Sequence, residues 1–193
     1  GLFGAVHKAT TTKELIENKH AADFKIKCIV LKYPDVVCKE SRDWDYNAEM
    51  DYIVASRKRN DFIKNLTLSL EGNTLVLFQY VDKHGKFLYE HIKDSNIDRT
   101  ISFVYGGTDT EQREEIRALT EKCDDAIIVA SYGTFSTGIN IRNLHNVVFS
   151  SPSKSRVRNC KSFALIVKSL PFQSLRRSPI DLVNLRRLSE LLL

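Results

Sequence analysis

The chain has 193 residues, 42% of them hydrophobic and 27% charged, with a net charge of +5. That balance fits one globular domain with a real core and excludes a disordered chain. No apolar run approaches the roughly 20 residues of a membrane helix, and the opening GLFGAVHKAT lacks the basic start and long apolar core of a secretory leader.

The chain does not begin with Met, which reads as a fragment or a processed piece. Residues 1–24 mix small, polar and charged residues without a period and read as a connecting segment. Residues 25–33, KIKCIVLKY, alternate and are β-branched enough for a strand, stopped by Pro34. Residues 35–43 look like a loop. From about Trp44 to Leu70 the pattern is helical, with Ile53 and Val54 as one apolar patch and Phe62, Ile63, Leu66 and Leu70 as another. Gly72 is placed to end that helix.

Types then alternate regularly. Residues 74–78 are a continuous apolar strand. Asp82 can cap a helix with Phe87, Leu88, His91 and Ile92 inside. Residues 101–105 are a strand. Asp109 with Gln112 is a capping-box pattern for a helix whose face is Ile116, Leu119 and Cys123. Residues 126–130 and 146–149 are strands. Strand and helix alternating over short joints predict an α/β fold with a mainly parallel sheet covered by helices on both faces. After Pro152 the character changes, and a stretch from about Asp181 can form an amphipathic helix.

The charge is uneven. Residues 151–193 hold nine basic residues and two acids, a surplus of seven, which leaves residues 1–150 at −2. A basic total suggests a polyanionic partner, yet most of the excess sits in the tail. The four cysteines, Cys28, Cys38, Cys123 and Cys160, lack zinc-knuckle spacing and read as reduced thiols of a cytoplasmic protein.

In open α/β sheets, ligands sit beyond the carboxyl ends of the strands. Three stretches leave such ends: FQYVDKHGK, YGGTDTEQR and VASYGTFSTGINI. Parallel strands put all three on one rim, with Gln79, Gly106 and Gly107 at its turns. Lys83, His84 and Lys86 add positive charge, and helix-start N–H groups add anion sites. Such a rim suits a nucleic-acid backbone; for any one loop, ordinary turn chemistry is the competing reading. His7, His20 and His145 show no ligand spacing, so no metal site is expected. No G-x-S-x-G nucleophile motif and no G-x-x-x-x-G-K-[ST] phosphate loop occurs, so the chain has no evident means of holding a triphosphate alone.

Three longer stretches carry a resemblance. NTLVLFQYVDKHGKFLYEHI, ISFVYGGTDTEQREEIRAL and AIIVASYGTFSTGINIRNLHNVVFSS resemble, in order and interval, motifs IV, IVa and V of the second RecA-like domain of superfamily 2 helicases, the phage recombination and repair helicases in particular. GLFG, LKYPD and SRKRN fit the join between the two motor domains of such proteins. The likeness covers about residues 1–158. It implies a connecting segment over 1–34, a helicase carboxy-terminal domain over 35–158 and an atypical basic tail over 159–193.

The resemblance implies a motor that spends ATP, with Mg, in a cleft between two such domains while stepping along DNA. Ser131, Tyr132, Gly133 and Thr134 would lie near the DNA backbone, as would residues 79–86. Gly138 and Asn140 would lie near the nucleotide. The first RecA-like domain, which would hold most of the ATP and Mg, is the implied partner, with branched, single- or double-stranded DNA as the other and no membrane. The setting implied is the cytoplasm of a phage-infected bacterium, in recombination, repair or replication. No catalytic residue is assigned, and the chain alone is expected to be inactive. The Q-x-x-G-R-x-x-R-like motif expected soon after residue 149 does not appear, and the tail reads like a shifted frame or a replaced terminus. A non-enzymatic, helicase-derived nucleic-acid-binding module remains the alternative. An unrelated doubly wound nucleotide enzyme lacks its G-x-G-x-x-G.

Overall fold

The structure, a computed structural model, describes residues 14, 17, 18, 25–136, 141–151 and 163–169. Strand β1 (Lys25–Leu31) leads into short helix α1 (Asp35–Glu40), a 3-10 turn (Ser41–Asp43), α2 (Tyr46–Ala55) and α3 (Arg57–Ser69). Next come β2 (Thr74–Phe78), a π-turn (Val81–Gly85), α4 (Lys86–Lys93), β3 (Ile101–Val104) and α5 (Thr110–Lys122). The order closes with β4 (Ile127–Ser131), the one-turn α6 (Tyr132–Ser136), β5 (Asn146–Phe149) and β6 (Phe163–Ser169).

Among the described residues the strands form one six-stranded sheet in the order β1-β6-β5-β2-β4-β3. The four strands β5, β2, β4 and β3 run parallel, and β6 pairs antiparallel with both β5 and β1. The α/β reading with a mainly parallel sheet therefore holds.

The continuous apolar strands are explained by burial on both faces. On one face, Val76, Phe78, Ile127 and Val129 pack with Phe62, Ile63 and Leu66 of α3 and Leu88 and Ile92 of α4. On the other, Leu75, Leu77, Ile128 and Ala130 pack with Val104 and Ile141, against Ile116 of α5. Successive residues of β2 and β4 serve opposite faces, the period of two a strand imposes.

Asn73 ties the amino edge of the sheet together. Its Nδ2 donates to the carbonyls of Thr120, Cys123 and Asn143 at 2.9, 2.7 and 2.7 Å, and its Oδ1 accepts from Ala126 N–H at 2.8 Å. Gly72 turns the chain into β2 at a φ of +81°, where a Cβ would also meet the His145 ring.

Several sequence expectations need correction. Residues 35–43 are helix and 3-10 turn rather than loop: Pro34 presets the start and Asp35 favours the first turn. Asp82 caps nothing, because it lies inside the π-turn. That turn delays α4 to Lys86, so Leu88 and Ile92 face inward while Phe87 stays 47% exposed, its ring stacked on His91. Leu119 is likewise outside, 52% exposed. Asp109 stands at the N-cap of α5 without a side-chain hydrogen bond there, so the capping box does not close. The strand expected over residues 25–33 is β1, and it lies in the same sheet as β6, a strand the sequence reading did not assign.

Candidate nucleic-acid interface

β2 and β4 run side by side to the pair Phe78↔Ser131. Beyond it the chain leaves β2 for the face lined by Leu88 and Ile92, and leaves β4 for the face that holds Ile141. Diverging connections open a crevice at the carboxyl end of a parallel sheet. Because β2, β4 and β3 run parallel, the stretches after them begin at the same edge of the sheet; residues 137–140 of the third lie outside the described residues.

In the first loop, Gly85 N–H closes the π-turn on Tyr80 O at 2.8 Å. A Cβ on Gly85 would run into the Phe78 ring, so the turn depends on that glycine. Gln79 is exposed, and its N–H donates to Ser151 Oγ at 3.0 Å.

His84 does not join the rim. It is fully buried, with Nδ1 3.1 Å from Ser151 Oγ and Nε2 3.1 Å from Asn60 Oδ1. Asn60 Nδ2 donates to Val54 O at 2.9 Å, which fixes Oδ1 as the acceptor. Nε2 therefore carries the proton, and Nδ1 accepts from the Ser151 hydroxyl. Burial, then the nearby Arg59 charge, pushes the His84 pKa down to about 4, so the ring is neutral near pH 7. It adds no positive charge to the surface, contrary to expectation.

Lys83 and Lys86 are exposed, but each has a carboxylate: Lys83 Nζ lies 2.8 Å from Asp51 Oδ1 and Lys86 Nζ 2.6 Å from Asp82 Oδ1. Pairs this open to water are weak and can be exchanged for a phosphate.

In the second loop, Gly106 and Gly107 are exposed. Thr108 Oγ1 accepts from Tyr105 N–H at 3.0 Å. Arg113 reaches back from α5, donating Nε to Thr108 O at 2.8 Å and Nη2 to Gly106 O at 3.0 Å. A Cβ at Gly106 would meet open space, whereas one at Gly107 would press on the Tyr105 ring at 2.7 Å.

The third loop is turned inward more than its composition suggests. Ser131 and Thr134 are buried, with their hydroxyls 2.7 Å apart. Tyr132 stacks on Phe149 and donates its hydroxyl to Ser151 O at 2.9 Å, and burial pushes its pKa up to about 12. These three brace the turn from below, and Gly133 alone of the four presents itself to solvent. Gly138 and Asn140 lie outside the described residues.

Residues that sequence reasoning passed over meet beneath this rim. Arg59 is 2% exposed and donates Nη2 to Ser150 O at 2.8 Å; burial lowers its pKa. Ser150 Oγ donates to Leu77 O at 2.7 Å. The available signal was helical phase, which puts Arg59 and Asn60 on the face of Phe62, Ile63 and Leu66, where buried polar groups must find partners. Among the described residues, no group of three or more His, Cys, Asp and Glu could hold a metal, and no helix is long and apolar enough to cross a membrane.

A mainly parallel sheet with helices on both faces and its loops gathered at the carboxyl edge defines a RecA-like α/β domain. Residues 57–164 match the helicase conserved C-terminal domain, and the chain belongs to that family. It is 38% identical over 160 residues to the ATP-dependent DNA helicase uvsW of Enterobacteria phage T4, covering 81% of this chain and 31% of that protein. The crystal structure of T4 UvsW superposes with a TM-score of 0.57 at 38% identity, over 66% of this chain and 26% of that one. The chain thus spans about a third or less of the length of the relative it matches.

Proposed function

We propose that the chain is the carboxy-terminal motor domain of an ATP-dependent DNA helicase acting in recombination, repair or replication. It binds the DNA backbone along the carboxyl rim of its sheet. The observation that carries this reading is the convergence of three strand-end loops on one edge of a helicase-family domain. Gln79, Lys83, Lys86, Gly106, Gly107 and Gly133 are the contacts, because each is exposed there. They offer charge, amide and main-chain groups, which grip phosphates without reading bases, as a translocating motor requires. His84, Ser131, Tyr132 and Thr134 support these contacts from inside. Gly138 and Asn140 border the nucleotide, and a first RecA-like domain supplies most of the ATP and Mg site.

Photocross-linking tests the assignment. A benzophenone side chain at Gln79 or Gly106 should cross-link to bound DNA. One at Leu119, exposed near the far end of α5, should not. Equal yields at all three positions would refute the rim.

A further inference from the structure

We propose that Ser151 is the positioning residue that couples the first and third strand-end loops, so that a contact made at residues 79–86 is transmitted to residues 131–136. Its hydroxyl serves one loop and its carbonyl the other. Ser151 Oγ accepts from Gln79 N–H at 3.0 Å and donates to His84 Nδ1, while Ser151 O accepts the Tyr132 hydroxyl at 2.9 Å. The residue is 3% exposed and sits two positions past the end of β5, so it meets no external ligand itself.

The serine is held on its other sides. Ser150 N–H and Oγ both donate to Leu77 O, at 2.9 and 2.7 Å, and Arg59 donates to Ser150 O at 2.8 Å. The unit can therefore shift only with β2 and α3 or by exchanging its bonds. Movement of Gln79 pulls on the hydroxyl, and the shared residue carries that pull to the carbonyl that holds Tyr132. Tyr132 opens α6, so its displacement moves the whole turn. Buried hydrogen-bond networks of this kind have discrete arrangements rather than a soft continuum, the property a coupling element needs. The use of this latch in DNA binding rests on the function proposed above; the coupling itself does not.

The test uses hydrogen exchange and the His84 ring nitrogens in the whole chain. Tyr132→Phe removes only the bond to Ser151 O and leaves every His84 and Gln79 partner in place. It should nonetheless speed exchange of the Gln79 amide by about tenfold and move the His84 Nδ1 resonance. Ser151→Ala should speed exchange at Gly133 and Thr134, and Ser151→Thr, which keeps the hydroxyl, should restore it. Effects confined to the loop whose own bond was removed would overturn the proposal. A DNA oligonucleotide that protects residues 79–86 should also protect 131–136 in the wild type and not in Ser151→Ala; protection spreading equally in both would overturn it too. Should no oligonucleotide bind, the backbone-binding reading fails while the ligand-free arm still decides the latch.

Discussion

His84 Nε2 donates to Asn60 Oδ1 across 3.1 Å in a site closed to solvent. This bond joins the π-turn after β2 to α3 and needs the proton on Nε2, while the Ser151 hydroxyl can donate to Nδ1 only as long as that nitrogen is bare. Protonation of Nδ1 would set an N–H against the Ser151 hydroxyl proton and bury a second cation near Arg59.

Stability should therefore fall in mild acid. The His84 pKa is about 4 in the fold against 6.5 for a free imidazole. Between these values the unfolded chain binds more protons, so stability is complete above pH 6.5 and is lost as pH falls toward 4. The loss from this group is about 3 kcal/mol. Burial also lowers the His145 pKa, which acts in the same direction. Urea unfolding at pH 7.5 and 4.5 should show the drop, and His84→Gln should flatten much of it. An unchanged pH dependence in that variant would locate the effect elsewhere.

Gly85→Ala should destabilise the fold by about 1–3 kcal/mol, as overpacking does. Its φ of −61° and ψ of −46° suit alanine, so backbone preference alone predicts a gain. The loss comes from the Phe78 ring against which the new methyl would press. Thermal melts of Gly85→Ala with and without Phe78→Leu separate the two, since the smaller side chain should recover part of the loss.

Asn73→Ala should cost about 2–4 kcal/mol, because it strands several buried partners at once. The Ala126 N–H and the carbonyls of Thr120, Cys123 and Asn143 all bond this one amide, and Thr120 O and Cys123 O keep only longer second donors, Cys123 N–H at 3.3 Å and Asn143 Nδ2 at 3.1 Å. A chemical-denaturation loss under 1 kcal/mol would mean that water replaces it.

Asp51→Asn should leave stability within about 0.5 kcal/mol of the wild type, because the Lys83–Asp51 pair is exposed. It should tighten DNA binding by releasing Lys83 for a phosphate. Fluorescence anisotropy reads the change, and weaker binding would show that the carboxylate orients Lys83 rather than competing with DNA.

The parallel sheet was legible because β2 and β4 are unbroken apolar runs, a pattern that burial on both faces demands. The three strand-end loops were legible from glycines and hydroxyls following those runs. What composition could not show was direction. Ser131 and Thr134 look like surface hydroxyls in the string, yet each satisfies the other below the surface. His84 sits between two lysines and reads as part of a basic cluster, but the π-turn rotates it inward. The π-turn had no sequence mark beyond Gly85, and Phe87 was misplaced for the same reason. Arg59 and Ser150, 91 positions apart in sequence, meet only through the sheet, which no local pattern encodes.

The most direct test of the backbone-binding rim is the salt dependence of DNA binding. Labelled single- and double-stranded oligonucleotides are titrated with the chain at two salt concentrations, beside a Lys83→Ala, Lys86→Ala double variant. A rim gripping phosphates through these two lysines predicts sequence-independent binding whose affinity falls with salt. It also predicts that the double variant loses about two units of the log–log salt slope, near 0.9 per phosphate contact. Salt-insensitive binding, or a double variant with the wild-type slope, would contradict it.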